Sequence, residues 1–264
     1  MDNSYRISLI DDMVWSYSRL SAFGMCKNQW YLRYLEYPDQ PESQLFFSQY
    51  GSFVHDILAR YFKRKVSAKN AVAEYLLGFT MNVYARAPNT KIFHTYYQDG
   101  LAYFKNLPPI PKKVIAVEKG VEFTLPNGEH PLPCIGFIDL VYEDENGLTI
   151  MDHKSRTLKP FSNRKKPTAS DETNREYLRQ LYLYGFAWKQ ITGKPPDRLQ
   201  INSFRNQTVI TEPYSKVYED EAVQWATQRF LDIRTEQQYP ADIDWFKCKY
   251  LCGMHNYCDL YEFV

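Results

Sequence analysis

Apolar positions recur at helical spacing in the first part of the chain, and later they alternate or run together as in strands. The predicted helices are 16–36, 50–64, 68–85, 90–106, 171–192 and 215–236. The predicted strands are 114–125, 134–144, 147–155, 198–204 and 208–213. This order predicts an α/β fold, in which a small mixed sheet is flanked by helices and a helical insert precedes the sheet.

The segment 134–155 has the pattern of a β-hairpin. Its dipeptide at 146–147, Asn-Gly, favours a two-residue type I′ turn. That turn would place Lys154 opposite Asp139 and Asp152 opposite Val141. Because side chains alternate along a strand, both carboxylates and the ammonium would share one face, and a shift of the pairing by two residues would keep them there.

Two carboxylates and one ammonium at the end of a hairpin outline a metal site with a catalytic lysine. A solvated salt bridge at a strand end is the alternative. The residues around Asp139 are apolar on both faces of the strand, as in a strand that is covered on both sides. A carboxylate in such a place is costly unless a cation or a donor compensates it, which favours a functional role.

The composition is that of an ordinary globular protein. The chain has 264 residues, of which 44% are hydrophobic and 24% charged. We expect one domain over 1–264, with a helical part (1–113), a catalytic core (114–213) and a C-terminal part (214–264). No apolar stretch approaches the roughly 20 residues of a membrane span, and the N-terminal residues lack the pattern of a signal peptide. We therefore expect a cytoplasmic protein with no membrane partner.

Positive charge is concentrated in one predicted loop, although the net charge of the whole chain is only +1. Between residues 154 and 170 there is no acidic residue, and the basic residues are Lys154, Arg156, Lys159, Arg164, Lys165 and Lys166. A basic loop that follows a metal site is suited to the phosphate backbone of a nucleic acid. A merely solvated surface loop is the alternative.

Five cysteines are an odd number for a disulfide framework, and a cytoplasmic chain would keep them reduced. Three of them lie near the C-terminus, at Cys248, Cys252 and Cys258, and Cys26 lies on the predicted N-terminal helix. Four thiolates gathered from both ends of a chain suggest an iron–sulfur cluster or zinc. Cys134, at the start of a core strand, is expected to be a small buried apolar residue.

Two predicted helices carry further polar candidates. His55 lies one turn after Gly51, where the missing side chain leaves room for a ligand to approach. A lone histidine on a partly apolar helix is otherwise a core residue. On the helix 171–192, Gln180 and Tyr184 are four residues apart, so they share one face and can reach a common target.

Taken in order, these residues match the motifs of a known family. The motifs are Ser16-x-Ser18, Cys26, Gly51-x-x-x-His55, Gly136-x-x-Asp139, Asp152-x-Lys154, Gln180-x-x-x-Tyr184 and the three C-terminal cysteines. In this series the chain resembles the RecB-like exonucleases of the PD-(D/E)XK superfamily. It is similar in particular to their iron–sulfur branch, which includes the CRISPR adaptation nucleases, and to the nuclease domain of the AddB subunit. The resemblance implies a restriction-endonuclease-like core.

The resemblance also implies the roles of the site residues. One or two Mg²⁺ or Mn²⁺ ions would be held by His55, Asp139, Asp152 and the backbone carbonyl of His153. Lys154 would orient or help to deprotonate the attacking water and would steady the charge that develops on the phosphate. Gln180 and Tyr184 would contact the DNA strand. Glu118, on the strand before the hairpin, would add a carboxylate outside the set of direct ligands.

The cysteines would hold a [4Fe-4S] cluster that joins the two ends of the chain. Here the C-terminal spacing is x3 and x5 where the family has x2 and x5, and Lys27 follows Cys26 where the family has proline. A zinc site that includes His255 is therefore the alternative.

The expected function is a metal-dependent DNA nuclease of a bacterium, archaeon or phage, acting as an exonuclease on single-stranded or end-unwound DNA. The alternative is a DNA-end-binding or assembly subunit with the same fold. In either case a helicase, integrase or recombinase is an expected partner.

Overall fold

The computed structural model describes residues 2–128 and 131–263. Its helices are α1 (Asn3–Asp11), α2 (Tyr17–Met25), α3 (Lys27–Tyr31), α4 (Phe46–Phe62), α5 (Ala68–Asn82), α6 (Thr90–Lys105), α7 (Ala169–Thr192), α8 (Lys216–Thr235) and α9 (Trp245–Tyr250). Its strands are β1 (Lys113–Leu125), β2 (Leu132–Asp144), β3 (Gly147–Lys154), β4 (Arg198–Ser203) and β5 (Thr208–Pro213). None of the helices in the described ranges is both long and apolar enough to cross a membrane.

The five strands form one mixed sheet in the order β1-β2-β3-β4-β5. Strand β3 pairs antiparallel with β2 and parallel with β4, and β4 pairs antiparallel with β5. A parallel pair needs a long crossover, and here helix α7 provides it between β3 and β4. The predicted α/β fold with a mixed sheet flanked by helices is confirmed, and α4, α5 and α6 precede the sheet as expected.

The chain divides into two compact units. The first consists of Met1–Leu45, Glu122–Ile135 and Val223–Val264, and the second of Phe46–Val121 and Gly136–Ala222. All residues predicted for the metal site belong to the second unit, whereas the four cysteines predicted for the cluster belong to the first. The assignment of the whole chain to one domain stays a prediction.

The core of the second unit is dominated by aromatic residues of α4, α5 and α6. Apolar residues at helical spacing on α4, among them Tyr50, pack against Tyr75 and Phe79 of α5 and against Phe204, which follows β4. Gly100 of α6 permits this packing, since a Cβ there would lie 2.3 Å from the Tyr75 hydroxyl oxygen. The buried rings hold α4 and its histidine in a fixed position.

The first unit has its own core, built around Trp15 and Trp30, whose side chains are fully buried. The two indole rings stack at 6.4 Å, and Trp30 also stacks on Tyr239 at 6.2 Å. The backbone N–H of Trp15 donates to the Pro133 carbonyl, and its carbonyl accepts from the N–H of Ile135. These bonds join the N-terminal segment to the first residues of β2.

The prediction of one continuous helix over 16–36 is wrong. The backbone at Cys26 is extended (φ −161°, ψ 115°), which ends α2 and begins α3, and Leu32–Glu36 continues as a π-helix. The Cys26 sulfur accepts the backbone N–H of Gln29, as a capping residue does. Cys26 therefore lies at a break between two helices and not within one. The periodicity also did not reveal α1 or α9.

The register of the hairpin differs from the prediction by two residues. Asp144 pairs with Gly147 and Val141 with Ile150, so the turn residues are 145–146 and not 146–147. Neither turn residue has a positive φ, which a type I′ turn requires, and Gly147 with φ +98° opens β3 instead. A shift of two keeps every side chain on its predicted face.

Candidate active site

Residues from five elements of the second unit meet where the middle of β2 lies beside the end of β3. The side chains are those of His55 of α4, Glu118 of β1, Asp139 of β2, Asp152 and Lys154 of β3, and Gln180 and Tyr184 of α7, and His153 of β3 contributes its backbone groups. Strand β2 is buried at all five residues from 138 to 142, whereas Phe137 is 57% exposed. The burial predicted around Asp139 is therefore present from residue 138 onward but not at Phe137.

Asp139 is buried and links α4 to β3. Its Oδ2 accepts the backbone N–H of His153 at 2.6 Å and lies 3.6 Å from His55 Nδ1, while His55 Nε2 lies 3.0 Å from the His153 carbonyl oxygen. Burial alone would raise the pKa of Asp139, but the contact with His55 and the His153 N–H lower it to about 2. Burial would lower the pKa of His55, and the Asp139 carboxylate reverses this and raises it.

Asp152 and Lys154 form a buried ion pair. Lys154 Nζ lies 2.7 Å from Asp152 Oδ2. Apart from this ammonium, that oxygen has no hydrogen-bond partner among the described residues. Burial raises the pKa of Asp152, helped by the negative charge of Asp139 and opposed by Lys154. The two carboxylates thus have pKa values shifted in opposite directions, which is typical of functional sites.

Glu118 takes part in the site more closely than the sequence indicated. One ligand atom from each of His55, Glu118 and Asp139 can be chosen so that all three lie within 4.8 Å of one another. Glu118 has φ +52° in the middle of β1, a strained conformation for a residue other than glycine. Burial raises its pKa, and the charge of Asp139 adds to this.

These donors fit a hard divalent cation. Carboxylate oxygens and a backbone carbonyl are the ligands that Mg²⁺ and Mn²⁺ prefer, and an imidazole nitrogen also serves Mn²⁺. Glu118 and Asp139 bring two carboxylates together beside His55, whereas Asp152, also expected as a ligand, lies outside this group and pairs with Lys154. Of the ligands that the resemblance implies, His55 contacts both the Asp139 carboxylate and the His153 carbonyl, and Asp139 in turn accepts the His153 N–H.

Helix α7 presents a hydrogen-bonded chain to Lys154. The Lys154 ammonium donates to Gln180 Oε1 at 2.7 Å, and Gln180 Nε2 donates to the Tyr184 hydroxyl oxygen at 2.7 Å. The ammonium also lies 4.9 Å from the centre of the Tyr177 ring. Tyr177 was missed, although it lies three residues before Gln180 and hence on the same face of the helix. Contact of Gln180 and Tyr184 with DNA stays a prediction.

In the basic loop after β3, all the residues predicted to bind DNA are exposed: Arg156, Lys159, Arg164, Lys165 and Lys166. Asp171, at the start of α7, accepts from the backbone N–H groups of Ser162 and Thr168, both at 2.7 Å, and so fastens the loop. Arg164 and Lys165 line a recess of about 500 Å³ together with Arg175 and Arg179 of α7, and three acidic residues of the same helix, Asp171, Glu172 and Glu176, line it as well. The two helix arginines were not predicted. A role for these groups in DNA binding stays a prediction.

The four cysteines predicted for a cluster line one small cavity of the first unit, with a volume of about 30 Å³. Three N–H groups point at their sulfurs, each at 3.4 Å: those of Gln29 and Asp242 at Cys26, and the side-chain amide of Asn28 at Cys258. His255 also lines this cavity. Cys134 lies elsewhere and is buried, and burial raises the pKa of its thiol to about 12.

Comparison with known proteins gives a family match over most of the chain. The family model described as the PD-(D/E)XK nuclease superfamily matches residues 14–259. The crystal structure of a protein named "Putative exonuclease" from Eubacterium rectale is 12% identical, with a TM-score of 0.49, covering 92% of this chain and 87% of that one. The crystal structure of SSO0001 is 17% identical, with a TM-score of 0.36, covering 78% and 85%. Both likenesses are too distant to transfer a function. No sequence among curated proteins matches.

Proposed function

Because the chain belongs to the PD-(D/E)XK nuclease superfamily, we propose that it is a metal-dependent nuclease that hydrolyses phosphodiester bonds in DNA. The observation that carries the proposal is the convergence of Asp139, Asp152 and Lys154 on adjacent strands, beside His55. Burying two carboxylates beside a lysine is energetically costly, and a protein that binds DNA without cleaving it does not require them.

The proposed metal ligands are His55, Asp139, Asp152 and the His153 carbonyl, with Glu118 as a further carboxylate. A bound Mg²⁺ or Mn²⁺ would lower the pKa of a water molecule and polarise the phosphoryl oxygen. The chain contributes the fixed orientation of these ligands. The His153 N–H holds Asp139 at 2.6 Å, and α4 brings His55 to the same carboxylate.

Lys154 acts in this proposal as a cation. Burial would lower the pKa of its ammonium, but the contact with Asp152 outweighs this and raises it. The group is therefore protonated at neutral pH, so it stabilises the negative charge that develops on the phosphate and does not take a proton from water. Of the roles that the resemblance implies for Lys154, we retain orientation of the water and stabilisation of the developing charge, and we do not retain deprotonation of the water.

The substrate that we propose is a single-stranded or end-unwound DNA end, cleaved exonucleolytically. This part rests on the resemblance of the ordered motifs to the RecB-like exonucleases. The exposed cations of the basic loop support a nucleic acid, because they lie directly after the strand that carries Asp152 and Lys154. A helicase, integrase or recombinase partner stays a prediction.

We also propose that the four cysteines of the first unit hold a [4Fe-4S] cluster. Their common cavity and the three N–H groups directed at sulfur support this, because hydrogen bonds to thiolates are typical of such clusters. Zinc, with His255, is the alternative. Either group would connect residue 26 to residue 258, and closing so long a loop contributes a few kcal/mol.

The experiment is digestion of end-labelled linear single-stranded DNA with Mg²⁺, with Mn²⁺ and with EDTA. Lys154→Met removes the charge and keeps most of the side-chain volume, and Lys113→Met, at an exposed lysine of β1, is the matched control. We expect metal-dependent cleavage that is lost only in Lys154→Met, and circular single-stranded DNA should resist. If the wild type binds DNA but cuts with neither metal, the nuclease proposal fails and the DNA-end-binding subunit takes its place.

A further inference from the structure

We propose that Tyr184 and Gln180 are positioning residues that fix the Lys154 ammonium, and that Gly136 is the residue that lets the Tyr184 ring reach its place. The inference rests on the proposed nuclease function, because it assigns the two α7 side chains a role inside that site. It differs from the expected contact of these residues with DNA.

The direction of the hydrogen bonds carries the first step. The Gln180 amide has one accepting and one donating end, and both are used: Oε1 accepts from Lys154 and Nε2 donates to the Tyr184 hydroxyl oxygen. A flipped amide would face the ammonium with its own N–H groups, donor against donor. Lys154, which can only donate, therefore sets which end of Gln180 faces it, and the Tyr184 hydroxyl oxygen holds the amide in place by accepting from its other end.

The placement of Tyr184 carries the second step. Its side chain is buried, with only 7% of the residue exposed, and its hydroxyl group is taken by Gln180. The ring lies against Gly136 of β2, where a Cβ would come within 2.7 Å of Tyr184 Cε1. Carbon atoms that are not bonded approach only to about 3.5–4.0 Å, so any larger residue would displace the ring. A tyrosine held in this way is not free to contact a DNA strand.

Lys154 needs positioning contacts because of the properties of its own side chain. A lysine side chain has a long flexible stem, and its ammonium group has no preferred direction of bonding. Here three contacts define its place: the Asp152 carboxylate at 2.7 Å, Gln180 Oε1 at 2.7 Å and the Tyr177 ring at 4.9 Å. Contacts run from Gly136 to the Tyr184 ring, from Tyr184 to Gln180 and from Gln180 to Lys154. Because Gly136 lies on β2, three residues before Asp139, these contacts connect the lysine to the strand that carries a proposed metal ligand.

Substitutions of Gln180 separate positioning from DNA contact by their rank order. Gln180→Glu keeps an acceptor for the ammonium, whereas Gln180→Met removes it. If Gln180 positions Lys154, we expect Gln180→Glu to retain at least about 10-fold more kcat than Gln180→Met, since a displacement of about 1 Å can cost about 100-fold in rate. If Gln180 contacts DNA, the new negative charge would repel phosphate, and Gln180→Glu would be the worse variant. That order would overturn the proposal.

Tyr184→Phe tests the second link with readouts that a loss of packing would not change. We expect kcat to fall by about 10-fold, while KM and the Kd for DNA in EDTA stay within about 2-fold of wild type. Tyr182→Phe is the matched control, because it is a buried tyrosine of the same helix whose hydroxyl group bonds Glu212 instead. A weaker Kd with unchanged kcat in Tyr184→Phe would refute positioning.

Gly136→Ala tests the steric link by non-additivity. In the wild type it should lower kcat by about 10-fold or more, and in a Tyr184→Leu background it should have little further effect, because the ring that it displaces is gone. Equal effects in both backgrounds would contradict the proposal. Lys154→Met distinguishes failure of the proposed nuclease site from failure of the positioning role. If Lys154→Met still cleaves DNA, the proposed role of the site fails. If it is inactive while the Gln180 and Tyr184 variants alter only DNA affinity, only the positioning role fails.

Discussion

Removing the charge of Lys154 should destabilise the fold, independently of any effect on catalysis. Asp152 and Lys154 are a buried pair, with 6% and 19% of their side chains exposed. In Lys154→Met the carboxylate keeps its buried position and loses the cation that compensates it. Breaking a buried ion pair by removing one partner costs about 3–5 kcal/mol. We expect the lower end, about 3 kcal/mol, because the lysine is partly accessible.

This loss should be visible in thermal unfolding. At about 2–4 °C for each kcal/mol in a protein of this size, the Tm of Lys154→Met should fall by about 6–12 °C, measured by circular dichroism in EDTA at pH 7.5. The control is Lys113→Met, since Lys113 pairs with Glu143 at an exposed position, with 65% and 43% of the side chains exposed. An exposed pair contributes about 0–1 kcal/mol, so this control should change the Tm by less than about 4 °C.

Two further measurements separate the charge from the packing. In the double variant Asp152→Asn, Lys154→Met no buried charge is left uncompensated, so most of the lost stability should return. The pKa of Asp152 is already raised by burial, and without Lys154 it rises further. A carboxyl group whose pKa is higher in the folded than in the unfolded state stabilises the fold at low pH, and this contribution is lost as pH rises through the folded pKa. The loss of stability in Lys154→Met, relative to the wild type, should therefore shrink as pH falls from 7.5 to 5. A deficit that is equal at both pH values, or a double variant as unstable as the single one, would refute the reasoning.

Three other predictions concern the hairpin turn, the middle residue of the Asp-x-Lys motif and the cysteines. Gly147→Ala should lower the free energy of unfolding in urea by about 1–3 kcal/mol, because the φ of Gly147 is +98° and a Cβ would lie 2.3 Å from Asp197 Oδ2. The control is Gly193→Ala, which should lower it by less, because Gly193 has φ +78° and a Cβ there would have no neighbour within 4 Å. Burial lowers the pKa of His153 from 6.5 to about 4, so the wild type should lose stability as pH falls through this range in urea titrations, and His153→Phe should lose part of that slope. Cys252→Ser should abolish visible absorption and lower the Tm, and a colourless variant of unchanged stability would contradict the proposal that the cluster stabilises the fold by joining the two ends of the chain.

The sequence predicts side-chain placement well where the repeat of apolar and polar positions identifies a strand, and less well where the backbone departs from a regular element. Asp139, Asp152 and Lys154 lie on one face, as predicted, although the turn was assigned wrongly, because strands have a period of two and the register moved by two. The break at Cys26 was not predictable from periodicity, since the apolar positions continue across it and only the extended backbone at that residue reveals it. The strained backbone of Glu118, which brings its carboxylate to the cluster, likewise has no signal in the sequence.

The middle residue of the Asp-x-Lys motif explains why the site is held so firmly. Because side chains alternate along β3, Asp152 and Lys154 face the site and His153 faces the other way, where its ring stacks on Phe62 and its Nδ1 accepts from Asn202. With its side chain fixed there, His153 presents its backbone groups to the site, where the N–H binds Asp139 and the carbonyl meets His55. Packing on one face of the strand thus sets the geometry of the ligands on the other. A substitution of His153 that disturbs this packing should therefore weaken metal affinity even though no proposed ligand side chain is removed, and calorimetric titration of Mn²⁺ into His153→Ala would measure that loss.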